Sequence, residues 1–566
     1  AEGRLLSHTD PLERMTRFSY DVAGRVASRV DALGYTLAYR YDRLGRLTVL
    51  TDANRATYQF HYDPAGRLLE EIGFDGKRTT YGYSEGTLQP VKIDEGGQVT
   101  ELEFDQAGRI VCRTSGASKE RFAYDASGRL IEALNSHSRT QMFFDSVGNL
   151  VREHHAYRLF GESRSYVWHH EYDEIGTRIK TVRPDGHVLD WLIYGSGHVH
   201  GLVLDGEERI QFERDDLHRE TGRMLSSKVG QQTKYDPAGR ITRQAIRRAN
   251  APAALAERRY RYDAVGQLEH IEDSRKGLIN YRYDPVGRLI AAIGPLGTET
   301  FAFDPASNII DPGSPRHART PGAVKASPVV PDSVDSTLPA EVPRVLGNLL
   351  KEYAGTHFEY DARGNLIGKR SPVGRQEYEW DGFNRLHVAR VEEAGRQHEA
   401  RYFYDSFGRR IGKDVDGVRT VFGWDGDQLA YESNETGATQ YVYEPETFVP
   451  LAQYVTAQPV AGIQTPVWQE GEPYVPEKDP LQRVPERQSD AHLFYYHCDQ
   501  IGTPLLMTDE VGEVVWEASY RAWGEAREVI ARASKAAGVE PRNPIRFQGQ
   551  QEDAETGLRY NRYRYY

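Results

Sequence analysis

Aromatic and polar residues alternate along most of this chain in short segments, and each segment ends at a turn. The sequence Tyr-Gln-Phe-His-Tyr at residues 58–62 spaces its aromatic side chains two apart, so they share one face of a strand. The next residues, Asp-Pro-Ala-Gly at 63–66, place Asp, Pro and Gly where a type I turn favours them. A left-handed Gly66 would then let the chain return through a bulge. The pattern predicts a β-hairpin with one aromatic face.

The same unit recurs along nearly the whole chain. The first clear copies start at Tyr20, Tyr41 and Tyr62, which are 21 residues apart. A regular period of this size is typical of a repeat architecture. We therefore predict an all-β fold in which stacked repeats line their aromatic side chains into a cross-strand ladder. The clear Tyr-Asp pairs are Tyr20 with Asp21, Tyr41 with Asp42, Tyr62 with Asp63, Tyr124 with Asp125, Tyr235 with Asp236, Tyr283 with Asp284, and Tyr404 with Asp405.

The polar residues of the repeat have a structural interpretation. Each repeat aspartate, Asp284 for example, stands where a turn favours Asp, so we interpret these residues as turn formers rather than catalytic carboxylates. The arginines after the glycine, such as Arg46 and Arg67, could offer a basic surface to a bound molecule. We favour the alternative that they pair with carboxylates or cover aromatic rings.

Changes in composition divide the chain into five segments. Repeats occupy residues 1–310 and 353–455, and Pro-rich segments occupy 311–352 and 456–490. Residues 491–566 differ from the repeats. Two short helices are predicted, over residues 345–353 and over 525–537, the second ending at Gly538. Because the segment Gly-Arg-Leu at residues 3–5 matches the second half of a unit, we expect the chain to begin within a repeat.

Composition and charge exclude several classes of function. The formal net charge of −12 argues against nucleic acid as a main partner, because phosphate binding needs a basic surface. The sequence shows no signal peptide and no apolar run long enough to span a membrane. There are only two cysteines, Cys112 and Cys498, which lie far apart in sequence and form neither a disulfide framework nor a metal cluster, and this fits folding in a reducing compartment.

Two histidine patterns are weak candidates for chemistry. His198 and His200 would share a strand face, but no Cys or acidic residue completes a metal site, so we expect no metal and no cofactor. His497 and Cys498 are adjacent, and adjacent strand residues point to opposite faces, which is poor geometry for a nucleophile and its base.

Three motifs together resemble the Rhs/YD-repeat family. They are the Tyr-Asp-x-x-Gly-Arg repeat, the Tyr-His-Cys-Asp segment at 496–499 followed by Gly-Thr-Pro at 502–504, and the terminal block at 547–566. The sequence around Tyr496 is similar to bacterial Rhs effectors of type VI secretion. The block resembles the Rhs repeat-associated core, and its motif residues are Asp553, Gly557, Tyr560, Asn561, Arg564, Tyr565 and Tyr566.

This resemblance implies a spiral β-sheet that closes as a hollow, cocoon-like shell, with a C-terminal core plug that contains the short helix of 525–537. The implied function is to enclose a C-terminal toxin domain and deliver it to a rival cell. The implied partners are that toxin, a type VI secretion spike (VgrG/PAAR) and a chaperone, reached through an N-terminal region. The resemblance also implies synthesis in the bacterial cytoplasm, followed by secretion into the target cell.

The family core is an aspartyl autoprotease, but its catalytic aspartates are expected beyond Tyr566. No catalytic residue is therefore assigned within this chain, and we expect it not to be an enzyme. Two other functions stay open. One is a cell-surface module that binds carbohydrate or mediates adhesion, and the other is the shell component of an insecticidal toxin complex.

Overall fold

A computed structural model describes residues 3–249, 251–310, 345–346, 349–353, 355–393, 395–466, 478–522, 524–532, 534, 538–539, 541–547, 549–562 and 564–566. Within these ranges the regular structure is β-strand, apart from one 3-10 turn at Pro480–Gln482. The predicted all-β class is therefore confirmed. Two large antiparallel sheets contain most of the strands.

The first sheet runs through the chain as a continuous meander, in which each strand pairs with the next. Its consecutive strands are β1 (Ser7–Thr9), β2 (Met15–Tyr20), β3 (Val26–Val30), β4 (Thr36–Tyr41), β5 (Leu47–Thr51), β6 (Thr57–Tyr62), β7 (Leu68–Ile72), β8 (Arg78–Tyr83), β9 (Pro90–Glu95), β10 (Gln98–Phe104), β11 (Ile110–Ser115), β12 (Ser118–Tyr124), β13 (Leu130–Leu134), β14 (Ser138–Phe144), β15 (Leu150–Leu159), β16 (Glu162–Tyr172), β17 (Arg178–Val182), β18 (Val188–Tyr194), β19 (His198–Leu204), β20 (Glu207–Arg214), β21 (Glu220–Leu225), β22 (Val229–Tyr235), β23 (Ile241–Arg248), β24 (Ala254–Tyr262), β25 (Leu268–Asp273), β26 (Gly277–Tyr283), β27 (Leu289–Gly294) and β28 (Gly297–Thr300).

Short strand pairs precede the second sheet: β29 (Ala302–Phe303) with β30 (Ile309–Ile310), and β31 (Val345–Leu346) with β32 (Leu349–Leu350). The second sheet contains β33 (Glu352–Tyr353), β34 (Thr356–Tyr360), β35 (Leu366–Ser371), β36 (Gly374–Trp380), β37 (Leu386–Glu393), β38 (Arg396–Tyr404), β39 (Arg410–Val415), β40 (Val418–Asp425), β41 (Gln428–Asn434), β42 (Gly437–Tyr443), β43 (Pro450–Thr456), β45 (His492–Cys498), β46 (Pro504–Asp509), β47 (Val514–Tyr520) and β48 (Ala526–Ala531). The strand β44 (Ile463–Gln464) joins the first sheet, and β49 (Gln551–Glu552), β50 (Arg559–Asn561) and β51 (Arg564–Tyr565) form a small third sheet.

The repeat turn has the geometry that the Asp-Pro-x-Gly pattern predicts. At residues 63–67 the Gly66 N–H donates to the Asp63 carbonyl at 3.0 Å, and the Asp63 N–H donates to the Arg67 carbonyl at 2.9 Å. Gly66 is left-handed, with φ of 90°. The strand register shifts between His61 and Tyr62, directly before the turn. This combination is a hairpin turn closed by a bulge, which increases the local twist of the strands.

The wall is wound so that distant repeats lie against each other. Hydrogen bonds join Arg14 to Gln267 and Asn54 to Asp304, which are 253 and 250 residues apart. Asn135 likewise donates to the carbonyl of Tyr404, 269 residues further along the chain. The turns of one winding therefore rest on the next winding, and the second sheet continues the spiral that the first sheet begins.

The apolar core lies between the windings. The ring of Trp168 in β16 stacks on Tyr431 in β41, with centroids 6.3 Å apart. Leu202 and Leu204 of β19 belong to a second buried cluster with Leu451 of β43. Burial of aromatic and aliphatic surface between windings is the main favourable contribution to such packing.

A connecting segment, which we call the clasp (residues 457–466 and 478–490 as described), leads from β43 to β45 and crosses the first sheet. Its strand β44 pairs with β16. The Gln488 N–H donates to the Asp185 carbonyl at 3.0 Å, and the Arg483 carbonyl lies 3.3 Å from His169 Nε2. The Val460 N–H also donates to Ser433 Oγ of β41 at 2.9 Å, so the segment predicted as Pro-rich at 456–490 connects the first sheet with the second. Residues 467–477 lie outside the described part.

Both helix predictions are wrong. Residues 345–346, 349–350 and 352–353 form β31, β32 and β33 in place of a helix, and residues 347–348 lie outside the described part. In the predicted helix 525–537, β48 pairs with β47, as in Glu517 with Ile530 and Ala518 with Val529. The sequence Val-Ile at 529–530 is β-branched and favours a strand, and the pairing with β47 overrides the amphipathic pattern. Over residues 526–531 the C-terminal core therefore has a strand where a helix was expected, and residues 533 and 535–537 of that prediction lie outside the described part. Residues 311–344 of the first Pro-rich segment lie outside the described ranges.

Candidate functional site

Consecutive repeats are joined by an Asp–Arg–aromatic unit. Asp42 Oδ1 accepts the backbone N–H groups of Leu44 and Arg46, and its Oδ2 accepts Arg46 Nε at 2.6 Å. The Arg46 guanidinium then lies 4.7 Å from the ring centre of Tyr62 in the next repeat. The Tyr62 hydroxyl donates to the Leu47 carbonyl at 2.9 Å, which closes the link. Each repeat thereby positions the aromatic side chain of its successor.

Asp284 occupies the same position in a repeat near the end of the first sheet. Its Oδ1 accepts the backbone N–H groups of Val286 at 3.0 Å and Arg288 at 2.9 Å, and its Oδ2 accepts Arg288 Nε at 2.6 Å. Both carboxylate oxygens of Asp284 are thus bonded within its own turn, which is a structural position rather than a catalytic one. Asp125 and Asp236 each accept the same three hydrogen bonds, at 2.7 to 2.9 Å.

The unit recurs with nearly constant geometry, and the ladder that it builds alternates arginine with aromatic rings. The pKa of Asp63 is lowered, chiefly by the hydrogen bond from the Arg67 side chain, so the carboxylate stays charged and paired. The equivalent guanidinium–ring contacts of 4.6 to 4.8 Å are Arg25–Tyr41, Arg67–Tyr83, Arg109–Tyr124, Arg129–Phe144, Arg219–Tyr235, Arg240–Tyr262 and Arg288–Phe303.

The remaining predicted repeat tyrosines lie in the same setting. The Tyr20 hydroxyl donates to the Leu5 carbonyl, Tyr283 to that of Leu268, and Tyr404 to that of Leu386. Gln267 stands where other repeats have the arginine. Its amide donates to the Gly287 carbonyl of the next repeat, in place of a guanidinium–ring contact. These hydroxyls and the Gln267 amide thus tie each repeat to its neighbour.

The terminal block (residues 547–566) packs against the second sheet, where its motif residues contact the repeat that contains Tyr404 and Asp405. The Tyr560 hydroxyl accepts the backbone N–H of Arg410 at 2.8 Å and donates to the Gly408 carbonyl at 3.2 Å. The hydroxyls of Tyr565 and Tyr404 are 2.7 Å apart. The block therefore has a defined seat on β38 and β39.

A buried ion pair lies at the centre of this seat. Arg410 Nη1 is 2.5 Å from Asp553 Oδ2, with the two side chains only 2% and 1% exposed. Lys413 Nζ lies 3.2 Å from Asp553 Oδ1 and 3.1 Å from Glu555. Burial opposes ionisation of Asp553, but Arg410 and Lys413 outweigh it and hold the pKa of this carboxyl below its usual value.

Aromatic rings surround the guanidinium of Arg410. It lies 4.4 Å from the ring centre of Tyr560, 4.8 Å from Phe422 and 5.5 Å from Tyr402. A cavity of about 170 Å³ borders the ion pair. Desolvated cation–π contacts of this kind strengthen a charge-assisted pair.

The other motif residues of the block lie away from this pair. Gly557 is left-handed, with φ of 68°, and its N–H donates to the Asp553 carbonyl at 2.7 Å. Asn561 pairs with Arg564 across the β50–β51 turn. Arg564 and Tyr566 are exposed. The structure thus brings Asp553, Tyr560 and Tyr565 to the seat. Gly557 and Asn561 lie in turns of the block, and Arg564 and Tyr566 lie at its exposed edge.

Sequence reasoning missed Arg410 and Lys413, the two residues that receive the block. A signal for Arg410 is present in the sequence, because this charged residue stands where neighbouring repeats have Leu366 and Leu386. Its partner is 143 residues away, so the pairing itself could not be read from spacing.

The histidine and cysteine candidates have structural surroundings. The rings of His198 and His218 stack with centroids 3.7 Å apart. Within the described residues, no three His, Cys, Asp or Glu side chains are grouped so as to hold a metal ion. His497 bridges Gln231 and Thr508, and burial lowers its pKa to about 3. Burial also raises the pKa of the Cys498 thiol far above its usual value.

No helix in the described part of the chain combines the length and the apolar character needed to cross a membrane.

Two family models match parts of the chain. The model described as RHS Repeat matches residues 1–36, 23–57, 41–78 and 360–397, and the one described as RHS protein matches residues 493–530. The chain is 34% identical over 414 residues to the double-stranded DNA deaminase toxin A of Burkholderia cenocepacia, which covers 70% of this chain and 26% of that protein. It is 35% identical over 427 residues to the toxin protein Tse5 of Pseudomonas aeruginosa, covering 71% and 31%.

The chain thus spans less than a third of the length of these relatives. Its fold is similar to a crystal structure of TcdB2-TccC3-TEV, with a TM-score of 0.73 and 16% identity, covering 98% of this chain and 30% of that one. A structure of the Photorhabdus luminescens Tc holotoxin pore matches with a TM-score of 0.67 and 17% identity, covering 99% and 29%. At such low identity these likenesses show a shared fold alone.

Proposed function

Because the chain belongs to the Rhs/YD-repeat family, we propose that it is the shell of an Rhs-type toxin and that it encloses a C-terminal effector domain. The observation that carries the proposal is the wound wall, whose windings are hydrogen-bonded between residues about 250 positions apart. A wall of this kind acts sterically, because a polypeptide behind it cannot reach its target. The seated terminal block places the end of the chain against this wall.

The test uses the full-length toxin, with the polypeptide that follows the terminal block. Trypsin is added to the intact protein and, as the control, to the effector domain expressed alone. We expect the effector to resist digestion within the intact toxin and to be cut rapidly when free. Electron microscopy of the same sample should show an enclosed volume. Equal digestion rates, or a rod without internal space, would contradict the proposal.

We also propose delivery to a rival bacterium by type VI secretion, with a VgrG/PAAR spike and a chaperone as partners and the producer cytoplasm as the place of assembly. Similarity to toxins such as Tse5 supports this route. A competition assay with producer strains that lack the spike gene tests it. Killing that persists without the spike would refute the route while leaving the shell proposal intact.

A further inference from the structure

The position five residues after the turn aspartate begins the outgoing strand of each repeat. In most of these turns the residue at this position is aliphatic. In the turn that begins at Asp405 it is the charged residue Arg410. The aliphatic residues are Val26, Leu47, Leu68, Ile110, Leu130, Leu150, Ile241, Leu268, Leu289, Ile309, Leu366 and Leu386. Arg410 is nevertheless buried, with a side-chain exposure of 2%, as is Leu386 in the preceding repeat.

A second charged residue at this position has a comparable role. Arg178 stands five residues after Asp173 and donates to Asp425 at 2.7 Å. Arg178 and Asp425 are 247 positions apart in sequence. Glu220 is the third such residue, and it pairs locally with Arg223. At this position of the repeat, arginine in place of an aliphatic residue thus pairs in both cases with a distant acidic residue.

We propose that Arg410 and Asp553 determine the register of the terminal block, so that the block docks on this repeat and on no other. The inference depends on the geometry of the seat alone and goes beyond the proposed enclosure of an effector. Two repeats with Leu at this position, Leu366 and Leu386, precede the seat on the same sheet. Leu386 belongs to the apolar cluster that contains Tyr402 and Tyr560, and Leu366 packs against that cluster.

Each charge of the pair excludes a wrong arrangement. Asp553 on a repeat with leucine would be a buried carboxylate without a cation, which is strongly unfavourable. An empty seat would leave the Arg410 guanidinium without a carboxylate, beside the rings of Tyr402 and Phe422. Specificity of this kind arises from penalties on the alternatives, in addition to attraction in the correct state. Lys413 and Glu555 add a second pair of the same polarity.

The test compares single and paired substitutions in the full chain. Amide hydrogen exchange of residues 549–562 reports docking. We expect Asp553→Asn and Arg410→Leu each to raise this exchange at least tenfold. The control is Asp273→Asn, which breaks the buried Arg258–Asp273 pair of the first sheet, where the side chains are 4% and 3% exposed. It should leave exchange of the terminal block unchanged.

The double variant Arg410→Leu with Asp553→Leu separates register from stability. Carbodiimide cross-linking reads the register, since Lys413 Nζ lies 3.1 Å from Glu555 in the parent. We expect the double variant to regain protection but to give cross-links from Glu555 to lysines of other repeats. Single variants with parental exchange would overturn the proposal, as would a double variant that retains only the Lys413–Glu555 product. A single variant that loses protection throughout the first sheet would also overturn it.

Discussion

Replacement of Gly186 by alanine should release the clasp from the first sheet. Gly186 has φ of 84° in the turn that leads to β18, and the clasp backbone passes directly over it. A Cβ at this position would lie 2.0 Å from the carbonyl carbon of Glu486 and 2.2 Å from the backbone nitrogen of Arg487. Because these are backbone atoms, a side-chain rotation cannot relieve the overlap, and the clasp must move.

The magnitude has two parts. Alanine with a positive φ costs about 1–2 kcal/mol wherever it stands. Displacement of the clasp also breaks the 3.0 Å bond from the Gln488 N–H to the buried Asp185 carbonyl, which adds about 1–3 kcal/mol. The matched control is Gly364→Ala, because Gly364 has the same φ of 84° in a similar turn with no atom within 4 Å of an added Cβ. The two variants should differ by about 2 kcal/mol, or roughly 30-fold in local opening.

Trypsin measures this opening, since Arg483 and Arg487 lie within the clasp. We expect cleavage after these residues to accelerate in Gly186→Ala and to remain at the parental rate in Gly364→Ala. Urea unfolding followed in parallel should show a loss of stability in both variants, larger in Gly186→Ala. Equal cleavage rates in the two variants would refute the reasoning, because they would show that the clasp does not depend on the space above Gly186.

Three further outcomes follow from burial and charge. Asp405→Asn should cost about 3–5 kcal/mol in urea unfolding, since it leaves Arg409 buried without its partner. Asp21→Asn, in the partly exposed equivalent pair with Arg25, should change stability little, and equal losses in the two variants would contradict this. The pKa of His497 is about 3 in the folded protein, so between pH 6.5 and 3 only the unfolded chain binds the proton, and stability falls by about 1.4 kcal/mol for each unit that the pH falls. Urea unfolding at pH 7 and pH 5 should therefore show a smaller loss of stability in His497→Gln than in the parent. Identical losses would argue against a buried neutral imidazole. Cys498 should resist iodoacetamide at pH 8 until the protein is unfolded, because burial raises the pKa of its thiol, and rapid labelling of the native chain would exclude that burial.

The spacing of residues was sufficient to predict the local units. The Asp-x-x-Gly pattern is a property of four adjacent residues, so the turns at Asp63 and Asp284 and the strands on either side of them follow from short-range sterics. The aromatic ladder was predicted only in part. Alternation showed that Tyr62 shares a face with its neighbours, but the partner that covers its ring, Arg46, belongs to the preceding repeat.

The helix expected over residues 525–537 shows where local pattern is insufficient. Its amphipathic spacing is compatible with a helix, yet the edge of β47 offers unpaired backbone groups that β48 satisfies. Local propensity is worth only tenths of a kilocalorie per residue, so a row of sheet hydrogen bonds with buried neighbours can override it.

The sequence by itself determined the repeat, its turns and the all-β class, because these depend on contacts within about 20 residues. The tertiary structure alone decided which windings touch, where the clasp crosses and which repeat receives the terminal block. Asp553 and Arg410 are 143 residues apart, and Arg14 and Gln267 are 253 apart. Such pairs are selected by the pitch of the wound sheet and by the cost of burying an unpaired charge, and neither quantity is encoded in the spacing of a single repeat.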